Sequence, residues 1–212
     1  MTELRVLSWE VMASRGFETA WVELGGGAAG GAPRGGLRAR GRAVGTEPAP
    51  YWISYTLETD EDFVTRRLHV TAEDADGARE LDLRRSGSGS GSGSEGGADL
   101  AGGAARWTAD GEPLPGLDAA LDCDLGLCPL TNTMPVLRHG LLDRPGERQL
   151  LMAWVAVPEL TVHPSRQTYT HLGRTGGGGA RVRYASGDFV SDIEFDADGL
   201  VVDYPELAHR LT

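Results

Sequence analysis

The 212-residue chain contains no lysine, and all 20 of its basic side chains are arginine. That absence excludes Schiff-base lysine chemistry and the lysine of a phosphate-binding P-loop. Cysteine is scarce, with only Cys123 and Cys128, and asparagine occurs once, at Asn132. No apolar run approaches the 18 residues that a membrane-spanning helix requires. The start, MTELRVLSWE, lacks the basic stretch and apolar core of a secretory signal, so a cytoplasmic protein with free thiols is expected. Basic charge is also in deficit. Thirty-one acids against 20 arginines leave a net charge of −11, which repels phosphate backbones and anionic membrane surfaces and argues against nucleic-acid binding. No integral membrane association is expected either.

What is present is strand-forming sequence broken by turns. In YWISYTLE (51–58), Tyr51, Ile53, Tyr55 and Leu57 share one face and Trp52, Ser54, Thr56 and Glu58 the other, the period of two of a half-buried strand. Further strands are predicted at TAWVEL (19–24), LRARGRAVG (37–45), FVTRRLHVTA (63–72) and RELDLRR (79–85). The C-terminal half adds QLLMAWVAV (149–157), RQTYTHLG (166–173), ARVRYAS (180–186), FVSDIEFDA (189–197) and LVVDYP (200–205). EDADG (73–77) and DADG (196–199) carry hairpin chemistry, because Asp and Gly tolerate positive φ. Residues 1–18 suit either a short strand or an edge helix, and ELAHRL (206–211) a closing helical turn.

About eleven strands with one or two short helices predict an all-β fold: an open, strongly curved antiparallel sheet or unclosed β-barrel. The strand 149–157 is apolar on both faces, so each face must be covered. A single domain over residues 1–212 is expected. GGGAAGGAPRGG (25–36) reads as a loop, and SGSGSGSGSEGG (86–97) as a flexible one that cannot bury apolar area.

The motifs that resemble known sites have simpler readings. GGGAAG (25–30) fits G-x-G-x-x-G, but Pro33 prevents the helix that would hold a pyrophosphate. The DADG turns lack the later glutamate of a calcium loop. Cys123 and Cys128 lack a recurrent zinc spacing and read as buried structural thiols. No cofactor is implied. The strand carboxylates, Asp122 and Asp124 among them, read first as a solvent face.

The densest stretch is Trp107 to Leu141. Within it, PLTNTMP (129–135) sets Thr131, Asn132 and Thr133 among apolar neighbours, so these polar groups need partners in the backbone or in a ligand. A buried Arg138 would need an anion, from Asp122 or Asp124 or from a ligand. The predicted ligand-contacting set is Trp107, Asp122, Asp124, Asn132, Thr133, Arg138, Trp154, Arg166 and Tyr169. Trp52, Leu150, Met152, Trp154 and Phe195 are expected to wrap an acyl chain.

The pieces GFETAWVEL (16–24), PYWISYTLETDEDFVTRRLHV (50–70), WTADGEPLPGLDAALDCDLGLCPLTNTMPV (107–136), VAVPELTVHPSRQTYT (155–170) and FVSDIEFDADGLVVDYP (189–205) resemble the bacterial putative glycolipid-binding protein family. The resemblance implies an open β-barrel similar to that of lipoprotein-localisation carriers. It also implies a glycolipid, or another amphipathic small molecule, as ligand. No catalytic residue carries over. Three functions are therefore expected in competition: a non-catalytic binder of such a ligand, an enzyme acting on a small polar or phosphorylated substrate in the same cavity, and an adaptor with a filled interior.

Overall fold

Across β3 (Leu37–Gly45) and β4 (Tyr51–Thr59), small residues face large ones. Gly41 lies opposite Tyr55 and Gly45 opposite Tyr51. A Cβ on Gly41 would stand 2.3 Å from the Tyr55 ring, and one on Gly45 2.5 Å from the Tyr51 ring. The period of two along β4 holds: Tyr51, Ile53, Tyr55 and Leu57 point inward, and Trp52 points out.

A computed structural model describes residues 3–25, 35–87 and 106–212. The N-terminal strands are completed by β1 (Glu3–Val11), β2 (Gly16–Leu24), β5 (Thr65–Asp74), β6 (Gly77–Ser86), β7 (Arg106–Ala109) and β8 (Glu112–Pro113). The second series is β9 (Asp122–Leu125), β10 (Glu147–Val155), β11 (Val162–Arg174), β12 (Ala180–Ser186), β13 (Phe189–Phe195), β14 (Val201–Tyr204) and β15 (Ala208–Arg210). All belong to one sheet in the order β8-β7-β6-β5-β4-β3-β2-β1-β15-β14-β13-β12-β11-β10-β9. Neighbours are antiparallel, except that β9 runs parallel to β10.

The architecture is the expected open all-β one, with fifteen strands among the described residues rather than about eleven. The ambiguous N-terminal stretch forms β1 and the start of β2, which pair from Glu3↔Leu24 to Val11↔Gly16. Residues 206–211 do not close as a helical turn, because Ala208–Arg210 pair with β1 at the centre of the sheet. Both Asp-rich hairpins form. Asp74 Oδ1 accepts the Asp76 amide, and Asp196 Oδ1 accepts those of Asp198 and Leu200. Of the loops expected at 25–36 and 86–97, residues 26–34 and 88–97 lie outside the described residues.

The edges β8 and β9 do not pair. The sheet instead curls until the start of β9 meets the start of β5, where the Thr65 amide donates to Leu121 O at 3.0 Å and the Cys123 amide to Thr65 Oγ1 at 3.1 Å. From the other side Trp9 Nε1 donates to Val201 O, tying β1 to β14. Into the concave side folds a 3-10 turn, Pro129–Asn132, continuing as α1 (Thr133–Arg138). Gly140, at φ 63°, ends this helix in the left-handed conformation that glycine adopts without a Cβ clash. Residues 129–137 are all buried. With Phe63, Leu68, Met152, Phe195 and the inward strand residues they fill the middle of the sheet.

Candidate functional site

The plug explains why polar residues collect beside β9. Burying Thr131, Asn132 and Thr133 removes their side chains from water, and each lost hydrogen bond has to be remade within the protein. Thr131 Oγ1 donates either to Asp124 Oδ1 at 3.0 Å or to Cys128 O at 3.1 Å. Asn132 Nδ2 donates to Pro129 O at 3.3 Å, and Asn132 Oδ1 lies 2.9 Å from the Tyr169 hydroxyl. That hydroxyl is also 3.1 Å from Gln167 Oε1, while Gln167 Nε2 donates to Asp124 Oδ2 at 2.6 Å. Thr133 Oγ1 is buried without a partner. The Thr-Asn-Thr run is thus held partly by backbone and partly by side chains of β9 and β11.

Asp122 and Asp124 are not a solvent face. β9 is covered on both sides, by the plug and by the sheet's own curl, so Asp122 is 1% exposed and Asp124 half-buried. Arg138 donates Nη1 and Nη2 to the two Asp122 oxygens, and Nη1 also reaches Phe63 O at 3.3 Å. Among the described residues, Asp124 has neutral donors only. Burial raises its pKa, and the hydrogen bonds from Gln167 and Thr131 oppose that rise. Burial, with the Arg138 charge second, pushes the His139 imidazole down to about 4. Burial also pushes the Cys123 thiol up to about 12 and Cys128 well above its usual value, so neither is a thiolate at neutral pH.

Two clefts flank this network. The polar cleft, about 360 Å³, is bounded by Asp122, Arg138, Gln149, Leu150, Arg166 and Gln167. The aromatic cleft, about 300 Å³, has Asp124 and Asn132 beside Trp154, Tyr184, Phe189 and Tyr204. Its rings pack edge-on: Tyr184 meets Phe189 at 6.0 Å, Tyr204 at 5.9 Å and the deeper Tyr169 at 5.4 Å between centroids. Gln167 borders one cleft and, through Asp124, reaches the other.

The structure therefore divides the nine predicted residues. Asp122, Arg138 and Arg166 border the polar cleft; Asp124, Asn132 and Trp154 border the aromatic one. Tyr169 and Thr133 lie beneath them, buried. Trp107 lines neither cleft; it is buried in the core, where its indole N–H donates to Ala120 O at 2.9 Å. Of the residues expected to wrap an acyl chain, Met152 and Phe195 are packed into the core and Trp52 is on the outer face, leaving Leu150 and Trp154 at cleft walls. Sequence reasoning missed Tyr184, Phe189, Tyr204 and Gln167. For Gln167 a signal existed, since it shares the inward face of β11 with Tyr169 two residues on. Among the described residues, no group of three or more His, Cys, Asp or Glu side chains could hold a metal ion. No helix among them is long and apolar enough to cross a membrane.

Comparison with known proteins bears on what such clefts hold. The family described as "Putative glycolipid-binding" matches residues 6–210. The crystal structure of a DUF1089 family protein from Pseudomonas aeruginosa is similar at 28% identity and a TM-score of 0.63, over 91% of this chain and 92% of that one. No curated protein matches.

Proposed function

The chain belongs to the putative glycolipid-binding family, and from that premise we propose that it binds the head group of a glycolipid, or of a similar amphipathic molecule, in the aromatic cleft without catalysis. One observation carries this reading: a half-buried carboxylate, Asp124, held by neutral donors alone, lies in a cleft walled by four aromatic rings. A carboxylate offers about four lone-pair sites. Thr131 and Gln167 use two, leaving acceptors for sugar hydroxyls, while the rings offer flat apolar faces to a sugar's C–H groups.

Among the described residues, core side chains and the buried segment 129–137 fill the concave side, which leaves the acyl portion outside it. Affinity then comes from the head group. A disaccharide of about 23 non-hydrogen atoms, at about −0.3 kcal/mol per atom, gives about −7 kcal/mol, a Kd on the order of 10 µM. The test is calorimetric titration with short-chain glycolipids against diacyl lipids lacking the sugar. Equal heats from both would overturn the reading. A bacterial, cytoplasmic setting belongs to the same proposal; two free cysteines, both buried, suit a reducing compartment.

A second reading, an enzyme acting on a small polar or phosphorylated substrate, draws on the raised pKa of Asp124, as a general acid in a cleft would have. Turnover abolished by Asp124→Asn would favour it over simple binding.

A further inference from the structure

The outer face of β2, β3 and β4 combines unneutralised arginines with an apolar row. Arg38, Arg40 and Arg42 alternate along β3 on the exposed side. Arg38 sits between Glu23 and Glu58 in the register, but Arg40 lies between Trp21 and Thr56, and Arg42 between Thr19 and Ser54. Arg40 Cζ stands 5.5 Å from the centroid of the Trp21 ring. Among the described residues, neither Arg40 nor Arg42 has a carboxylate within ion-pair distance. Other exterior arginines do: Arg67 is 2.7 Å from Asp82, and Arg183 2.7 Å from Asp192. Exposed Arg38, Arg144, Arg148 and Arg166 likewise have no ion pair among the described residues, so what sets Arg40 and Arg42 apart is their place on one strand face beside an exposed apolar row.

Next to them, Phe17, Val44 and Trp52 are cross-strand neighbours in one row, 51%, 48% and 54% exposed. Only the ends of this row meet acids, Glu10 beside Phe17 and Glu73 beside Trp52. On the arginine side of this face lies a groove of about 380 Å³ lined by Trp21, Arg40, Arg42, Ser54 and Thr56.

We propose that this face docks on an anionic lipid bilayer. A phospholipid phosphate enters the groove against Arg40 and Arg42, with the Ser54 and Thr56 hydroxyls as further donors. Phe17, Val44 and Trp52 then enter the boundary between head groups and acyl chains, where aromatic side chains are at home. A nucleic acid offers phosphates but no apolar layer to receive the exposed Phe17, Val44 and Trp52 side chains. A second copy would set Arg40 and Arg42 against their own counterparts across a two-fold axis. Paired apolar and cationic rows fit a membrane surface, which offers both chemistries at once. The proposal does not rest on the aromatic cleft, since it requires no glycolipid.

Co-sedimentation with phosphatidylcholine vesicles, with and without phosphatidylglycerol, tests it. Binding is expected only with phosphatidylglycerol, and it weakens as salt is raised. Arg40→Glu/Arg42→Glu lowers it roughly tenfold or more, and Phe17→Ser/Trp52→Ser lowers it as well. Thermal unfolding of each variant verifies that it is folded. Three outcomes would overturn the proposal: no binding to phosphatidylglycerol vesicles at low salt; unchanged vesicle binding by folded Arg variants; or a concentration-dependent dimer, abolished by Phe17→Ser/Trp52→Ser, in place of vesicle binding.

Discussion

Asp122 and Arg138 form a bidentate ion pair in which the aspartate is 1% and the arginine side chain 10% exposed. Because α1 carries the arginine and β9 the aspartate, this pair fastens the buried plug to the edge of the sheet.

Removing one partner leaves a buried charge without compensation. Arg138→Met is expected to cost about 3–5 kcal/mol, whereas Asp122→Leu/Arg138→Met together cost much less. Urea unfolding of both variants decides it. Equal losses would mean that the arginine acts through packing and not through charge.

Glu18 is fully buried, its only hydrogen-bond partner among the described residues the Tyr55 hydroxyl, and burial raises its pKa from 4.5 to about 8. Between those values the native state holds a proton that the unfolded chain has released. Its contribution to stability is complete below the lower value and is lost as pH rises toward the upper one, at about 1.4 kcal/mol per unit. Glu18→Gln should flatten this slope and be the more stable form near pH 8. Denaturation midpoints across that window measure it.

Gly41→Ala drives a methyl group to 2.3 Å from the Tyr55 ring, which is held by Glu18 behind it. Overpacking of this kind costs about 1–3 kcal/mol. Thermal unfolding should show the loss; an unchanged midpoint would mean that the ring can shift aside.

In the aromatic cleft, Asp124→Asn exchanges a carboxylate oxygen for an amide donor facing Gln167 and Thr131. Glycolipid affinity should fall about tenfold or more. Tyr184→Ala, which removes a ring in contact with Tyr169, Phe189 and Tyr204, should lower it similarly. Calorimetric titration reads both effects; unchanged affinity in either would move the ligand out of this cleft.

The hairpins and strand interiors were legible because their signals are local: alternation in 51–58 and Asp-Gly turns at 74–77 and 196–199. β15 was not, because its three residues are too few to show alternation and are held between β14 and β1, the latter almost the whole chain away. The inward face of Glu18 could have been inferred from Gly16, Ala20 and Val22, which flank it at steps of two. The burial of Asp122 and Asp124 could not, since it depends on a plug folding back over β9. That plug also occupies the concave side where a hollow was expected, with a cleft on either side of it. The aromatic wall gathers from β10, β12, β13 and β14, and no spacing along the chain brings those rings together.

The sheet order makes each half of the molecule a run of sequential neighbours, with β1 and β15 meeting at the seam. That seam is short: Trp9↔Arg210, Glu10↔His209 and Val11↔Ala208. A pulling force applied across it would unzip the two leaves there before either leaf came apart. Joining the ends of β15 and β1 through a linker while cutting the chain between β8 and β9 would leave a simple zigzag from one rim to the other, its most distant pairing replaced by a nearby one and its folding correspondingly faster.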